Sequence, residues 1–247
     1  MNHPSSIDLS NIGLDPAALH SLLTSLDLWP TLLLRQEKEL IASIVQLDES
    51  FIDAKRTKIL GNHSLDQYLT THGISLEQFD IDLRLDECLR LFSEQHFGAG
   101  IEDQFLSSNG CHDQIVYSLM RVKDPGLARE LWIRLEEGED TFSELASKFG
   151  EGPEATKRGV IGPTPIGSIH PKDLASLLRS LQIGEIHPPR QLGDWFIILR
   201  LEDLKPARLD STMRAYLLQQ QLSKFLEARV KSRLSGVSVD TLTYFPE

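Results

Sequence analysis

Eight histidines and two cysteines are the residues of this 247-residue chain best suited to metal ligation, proton transfer or nucleophilic attack, but their spacing does not gather them. His63, His72, His96, His112, His170 and His187 are scattered beside expected turns and helix ends. None makes an H-x-x-x-H pair, the spacing that sets two imidazoles on one helix face for a metal. Surface and capping roles are therefore expected. Cys88 lies in an apolar helical pattern and reads as a small core residue, and with Cys111 it forms no disulfide framework. Ser118 carries no local signature of an activated nucleophile. Gly150-Glu151-Gly152 lacks the G-K-[ST] ending of a phosphate loop and does not run from a strand into a helix. No metal and no cofactor is implied.

The composition sets outer bounds. Hydrophobic residues make up 40% and charged residues 25%, enough apolar material for one large domain or two modest cores. The formal net charge of -11 argues against general affinity for nucleic-acid phosphates. No run approaches the ~20 apolar residues of a membrane helix. The N-terminal stretch MNHPSSIDLSNIG has no basic segment followed by an apolar run, so the expectation is a cytoplasmic protein without a membrane span.

Helical signals fill residues 1 to about 106. Pro30 suits a first helical turn, and Leu33, Leu34, Glu37, Leu40, Ile41, Ile44 and Val45 then follow with a period near 3.6. Gly61 ends a helix from Ser50, and Ser64 caps another that Gly73 stops. Ser75 with Gln78 reads as a capping box opening a helix with Ile81, Leu85, Cys88, Leu89 and Phe92 on one face. Gly98 and Gly100 break that helix. The pattern then changes. Gln114 to Val122 reads as a strand, Pro125 to Glu137 as a helix, and Thr141 with Glu144 as a capping box. Glu151 to Gly167 reads as a glycine- and proline-rich loop. His187 to Leu192 and Trp195 to Leu201 read as strands joined by Gly193-Asp194. Asp210 reads as the N-cap of a last helix with Ala215, Leu218, Leu222 and Phe225 on one stripe. Amphipathic helices at both ends need partners, and the economical arrangement pairs them with each other. The expected fold is α+β: a helical domain over 1–111, an inserted α/β domain over 112–205, and a C-terminal segment 206–247 returning to the helical domain.

The order of elements in the insert carries a resemblance. VYSLMRVKD, the Pro125 helix, the F-x-E-L-A pattern at Phe142 to Ala146, Arg158 to Gly162, His170-Pro171, Gly184-Glu185-Ile186 and the Trp195 strand follow one another. This order resembles the parvulin-type (PpiC, rotamase-like) peptidyl-prolyl isomerases, and the helical flanks resemble bacterial chaperones of the SurA type. The resemblance implies a proline pocket with two histidines on adjacent central strands, a Cys or Asp nearby, and two apolar wall residues. Here the first histidine position falls on Leu119, or on Ser118 with a one-residue slip, and the second on Phe196. The Cys/Asp position falls near Gly152, with Glu151 beside it, and the wall residues fall on Ile169 and Leu174. These six side chains, Ser118, Leu119, Glu151, Ile169, Leu174 and Phe196, are the expected substrate contacts. His170 and Trp195 are further candidates for touching substrate. No catalytic residue is assigned.

The resemblance implies isomerisation of proline-containing polypeptides. X–Pro rotation faces a barrier of ~18–20 kcal/mol but breaks no bond, so neither nucleophile nor metal is needed. With apolar residues at both histidine positions, reduced turnover is expected. The rival reading is a non-catalytic peptide-binding module, holdase or adaptor using the same groove to hold an unfolded chain or a fixed protein partner.

Overall fold

The computed structural model describes residues 15–108 and 110–244, so the N-terminal stretch read above for a leader lies outside the described residues. In chain order the first helices are α1 (Pro16–Ser25), α2 (Trp29–Ile44), α3 (Glu49–Leu60), α4 (Leu65–His72), α5 (Leu76–Phe97) and α6 (Ile101–Ser107). Next come β1 (Gln114–Val122), α7 (Pro125–Glu136), α8 (Phe142–Phe149), β2 (Val160–Pro165) and α9 (Lys172–Ser180). The chain closes with β3 (Ile186–Leu192), β4 (Trp195–Lys205) and α10 (Ser211–Leu234). Two compact units result: one combines the chain up to Ile101 with the chain from Ser211, and the other is Glu102–Asp210. The second unit is wider than the 112–205 span read from the sequence. The reason at its far end is a hydrogen bond, since the backbone N–H of Ala207 donates to Asp113 Oδ1 at 2.8 Å and ties the segment after β4 to the start of β1.

Local signals set most helix ends. Asp48 caps α3 by accepting from the Ser50 N–H at 2.8 Å. Ser64 with Gln67, and Thr141 with Glu144, form reciprocal capping boxes at α4 and α8. The box expected at Ser75 is only half formed. Ser75 Oγ accepts from the Gln78 N–H, but the Gln78 side chain turns outward and donates to Asp82 Oδ1 at 3.1 Å.

In the helical unit, α2, α5 and α10 share one core of Ile41, Ala42, Val45, Cys88, Phe92, Leu222 and Leu226. Leu242, beyond the end of α10, closes it. The apolar stripe read on α2 contains Glu37, and this carboxylate is buried with the rest, at 1% exposure. Two arginines of α10 compensate it: Arg229 Nε donates at 2.6 Å and Arg233 Nη1 at 3.0 Å. Arg229 also donates to the Asp240 carbonyl at 2.8 Å, which holds the C-terminal segment over the helices. Both cysteines are free thiols, and burial pushes the Cys88 thiol pKa up. Among the described residues no single helix is long and apolar enough to cross a membrane. The α1–α2 pair reaches that length and composition only with a 104° bend between its members.

The Glu102–Asp210 unit is built on an antiparallel sheet of order β2-β1-β4-β3. Side chains alternate across the sheet with period two. One face, with Ile115, Tyr117, Leu119, Ile197, Leu199 and Leu201, packs on Leu174 and Leu178 of α9. The other, with Met120, Val122 and Ile198, packs on α7 and α8 through Leu131, Leu135, Phe142 and Leu145. Strand β2 corrects the reading of 151–167 as loop alone. It sits at the sheet edge, where Pro163 and Pro165 need not donate to a neighbour. Gly159 lets the loop cross close beneath β1, accepting from the Leu119 N–H at 2.8 Å with φ at +82°.

Candidate functional site

The α9 face of the sheet is not fully covered. A groove of about 520 Å³ opens there, floored by Tyr117, Leu119 and Arg121 of β1 and by Trp195 and Ile197 of β4. Ile161 of β2 closes one side; His170, Pro171 and Leu174, at and before α9, close another. Leu192 and Gly193 of the β3–β4 turn complete the rim. The Lys123 ammonium stands 5.3 Å from the centre of the Trp195 ring, a cation–π contact that holds the indole at the groove mouth.

Two of the six expected contact residues, Leu119 and Leu174, line this groove. The structure places the other four elsewhere. Ser118 and Phe196 face the opposite side of the sheet. Ser118 donates to the Glu202 carboxylate, and Phe196 packs with the α7–α8 core. Strand parity is the reason: with Leu119 in the groove its i±1 neighbours must point away, and in β4 the groove-facing residues are Trp195 and Ile197. Ile169 is buried in the core between sheet and α9, at 7% exposure, and does not line the groove. Glu151 is exposed and accepts from the Lys123 backbone N–H at 2.9 Å, so it serves the loop that follows β1. His170 and Trp195 are groove residues.

Three residues of the groove and its support were not anticipated. Tyr117 and Arg121 lie on the groove face at i±2 from Leu119, a spacing the strand period does announce. Glu154 gave no signal. It lies in a short 3-10 turn, Pro153–Lys157, and is buried at 5% exposure. Its carboxylate holds Arg121 bidentately, with Nε to Oε1 at 2.8 Å and Nη2 to Oε2 at 2.5 Å. That carboxylate also fills the space beside Gly152: a Cβ added there would collide with it. The position to which the resemblance assigned a Cys or Asp is thus occupied by a carboxylate reaching in from two residues downstream. The hydrogen bond to Glu154 raises the Arg121 pKa further, against a smaller opposing desolvation. Burial, reinforced by the charge of Glu154 and opposed by that of Arg121, pushes the Tyr117 phenol up from its ordinary 10.0. The groove is therefore apolar at its centre, with one ion-paired guanidinium, one neutral phenol and the His170 imidazole around it. Such a surface can bury a proline ring and offer hydrogen-bond donors to the amide beside it.

Residues 125–203 match the family model of the rotamase, PPIC-type PPIase domain. The inserted unit accordingly carries a peptidyl-prolyl isomerase domain of the parvulin type. Solved structures similar to this chain include the peptidylprolyl isomerase PrsA of Bacillus cereus, at 18% identity over 92% of this chain and 89% of that one, with a TM-score of 0.49. The Bacillus anthracis PrsA matches at 18% identity over 82% and 96%, with a TM-score of 0.45. A SurA-like chaperone of Campylobacter jejuni matches at 14% identity over 71% and 77%, with a TM-score of 0.37. A search of curated protein sequences returns no match.

Proposed function

We propose that the α9-face groove takes a proline-containing segment of an extended or unfolded polypeptide and isomerises its X–Pro bond at a reduced rate. The observation that supports this is the groove itself: Leu119 and Ile197 on its floor with Leu174 at its side and Trp195 beside them, inside a parvulin-type domain, with no histidine among the groove-facing residues of β1 and β4. Burial of the proline ring supplies binding. Acceleration requires contacts that strengthen as the amide twists, and an apolar floor supplies few of them.

The test pairs two measurements on the intact protein. Calorimetric titration with apolar-flanked proline peptides is expected to give a micromolar Kd, about -8 kcal/mol. Exchange NMR on the same peptides is expected to give turnover well below that of a parvulin with both histidines. Trp195→Ala should weaken the affinity, because the indole provides the largest apolar wall. Peptide affinity unchanged in Trp195→Ala would place binding outside this groove. The holdase reading draws support from a second groove of about 550 Å³ in the helical unit, where Leu89, Leu218, Leu222 and Leu226 lie among polar and charged side chains that include Lys38, Asp86 and Arg90. It predicts aggregation suppression that survives Trp195→Ala. We also propose a cytoplasmic location; the free thiols are compatible with reducing surroundings, and cell fractionation tests that placement.

A further inference from the structure

We infer that Arg121, oriented by Glu154, is the polar catalytic group of this groove and donates a hydrogen bond to the prolyl nitrogen as the amide twists. This rests on the proposed isomerase reading and supplies the chemistry that the apolar Leu119 and Ile197 cannot.

Three observations carry the inference. First, Arg121 is the one strongly basic side chain in the groove wall, on the same strand face as Leu119 and two residues from it. Second, its orientation is held. The buried Glu154 carboxylate binds Nε and Nη2 side by side, a planar fork that fixes the guanidinium plane. Nη1 has no hydrogen-bond partner among the described residues, and the arginine side chain is 30% exposed while that of Glu154 is 2% exposed. Third, the pair is only half-buried, with the carboxylate sealed in and the guanidinium partly exposed, and such a pair is a poor device for stability, because an apolar pair of similar volume is often as stable or more so. A charged pair in a groove that otherwise selects apolar contacts therefore points to a role toward whatever enters the groove.

The chemistry favours a donor at nitrogen. In the planar amide the nitrogen lone pair is delocalised into the carbonyl and accepts hydrogen bonds poorly. In the twisted amide that delocalisation is lost, the pair returns to nitrogen, and nitrogen becomes the better acceptor while the carbonyl oxygen becomes the poorer one. A donor placed at nitrogen thus binds the transition state more tightly than either planar isomer. No bond forms or breaks, and the proton stays on Arg121 throughout, since a guanidinium does not release it at neutral pH. Glu154 is a positioning residue: it meets the arginine and not the substrate.

The test uses the full-length protein and an apolar-flanked proline peptide. Arg121→Met alone strands a buried carboxylate and risks unfolding, so the informative variant is the double replacement Arg121→Met/Glu154→Leu. It is expected to bind the peptide within about twofold of wild type and to isomerise it at least tenfold more slowly. Arg121→Lys, which keeps a charged donor without the fork, should retain more turnover than the double variant. Wild-type turnover in the double variant overturns the inference while leaving the isomerase reading intact. A wild-type protein that binds the peptide in this groove without isomerising it overturns the inference and leaves only peptide holding. Absence of groove binding in the wild type overturns the functional proposal itself.

Discussion

The buried carboxylate of Glu37 makes the helical unit dependent on the two arginines that pair with it, Arg229 above all. Its side chain is 2% exposed, and its closest partner, Arg229, is 9% exposed. Arg229→Met keeps most of the aliphatic stem and deletes the charge. Glu37 then retains only Arg233, which is one-third exposed and 3.0 Å away. Removing one partner of a buried pair costs about 3–5 kcal/mol. The surviving arginine argues for the lower end, about 3 kcal/mol, which is roughly a hundredfold change in an opening equilibrium. Native-state hydrogen exchange reads this directly in the helical unit. Slowly exchanging amides of α2 and α10 should exchange about a hundredfold faster in Arg229→Met, with those of the sheet unaffected. The double variant Glu37→Leu/Arg229→Met should recover to within about 1 kcal/mol of wild type, because nothing charged is left stranded in the core. Two results would refute the reasoning. Exchange in the single variant within threefold of wild type would mean the carboxylate is not buried at a cost. A double variant as labile as the single one would mean that packing, and not charge, was lost.

The remaining predictions concern the Glu102–Asp210 unit. Gly159→Ala should destabilise it by about 1–3 kcal/mol in chemical denaturation. Its φ is +82°, and the added methyl would lie 2.9 Å from Ala146 Cβ and 3.0 Å from the Leu119 carbonyl. Ile169→Asp should unfold this unit and not merely weaken peptide binding, since Ile169 is a core residue and the new carboxylate would have no partner there; a folded Ile169→Asp protein with normal melting would count against that placement. Alkaline melting should show the Tyr117 phenol. Its folded pKa is raised above the ordinary 10.0 by burial, so the unfolded chain loses this proton first. The contribution is fully present below about pH 10 and is lost as pH rises from there through the folded pKa. Tyr117→Phe should flatten that decline, and an unchanged slope would rule the phenol out as its source.

Local rules made much of this protein legible from its sequence. Glycines 61 and 73, Ser64 and the Thr141–Glu144 box set helix ends within a residue or so, because a cap is satisfied by atoms three residues away. β1 spans the nine residues its β-branched and aromatic run announced, and the parvulin order of elements was readable because each element carries its own turn chemistry. Tertiary structure decided whatever depended on partners far along the chain. Strand β2 exists because β1 supplies its hydrogen bonds, which no glycine- and proline-rich hexapeptide encodes alone. Whether 118 or 119, and 196 or 197, faces the groove is a question of parity. Alternation gives two answers of equal merit until the sheet is packed between α9 on one side and α7 with α8 on the other. Glu37 reads as a polar blemish in an apolar stripe until Arg229 and Arg233 arrive beside it from almost two hundred residues later. The ion pair of the groove followed the same logic. A family pattern indicates where histidines would stand, but the bond between Arg121 and Glu154 exists only once a short turn has folded under the sheet, and electrostatics acts across space whatever the separation along the chain.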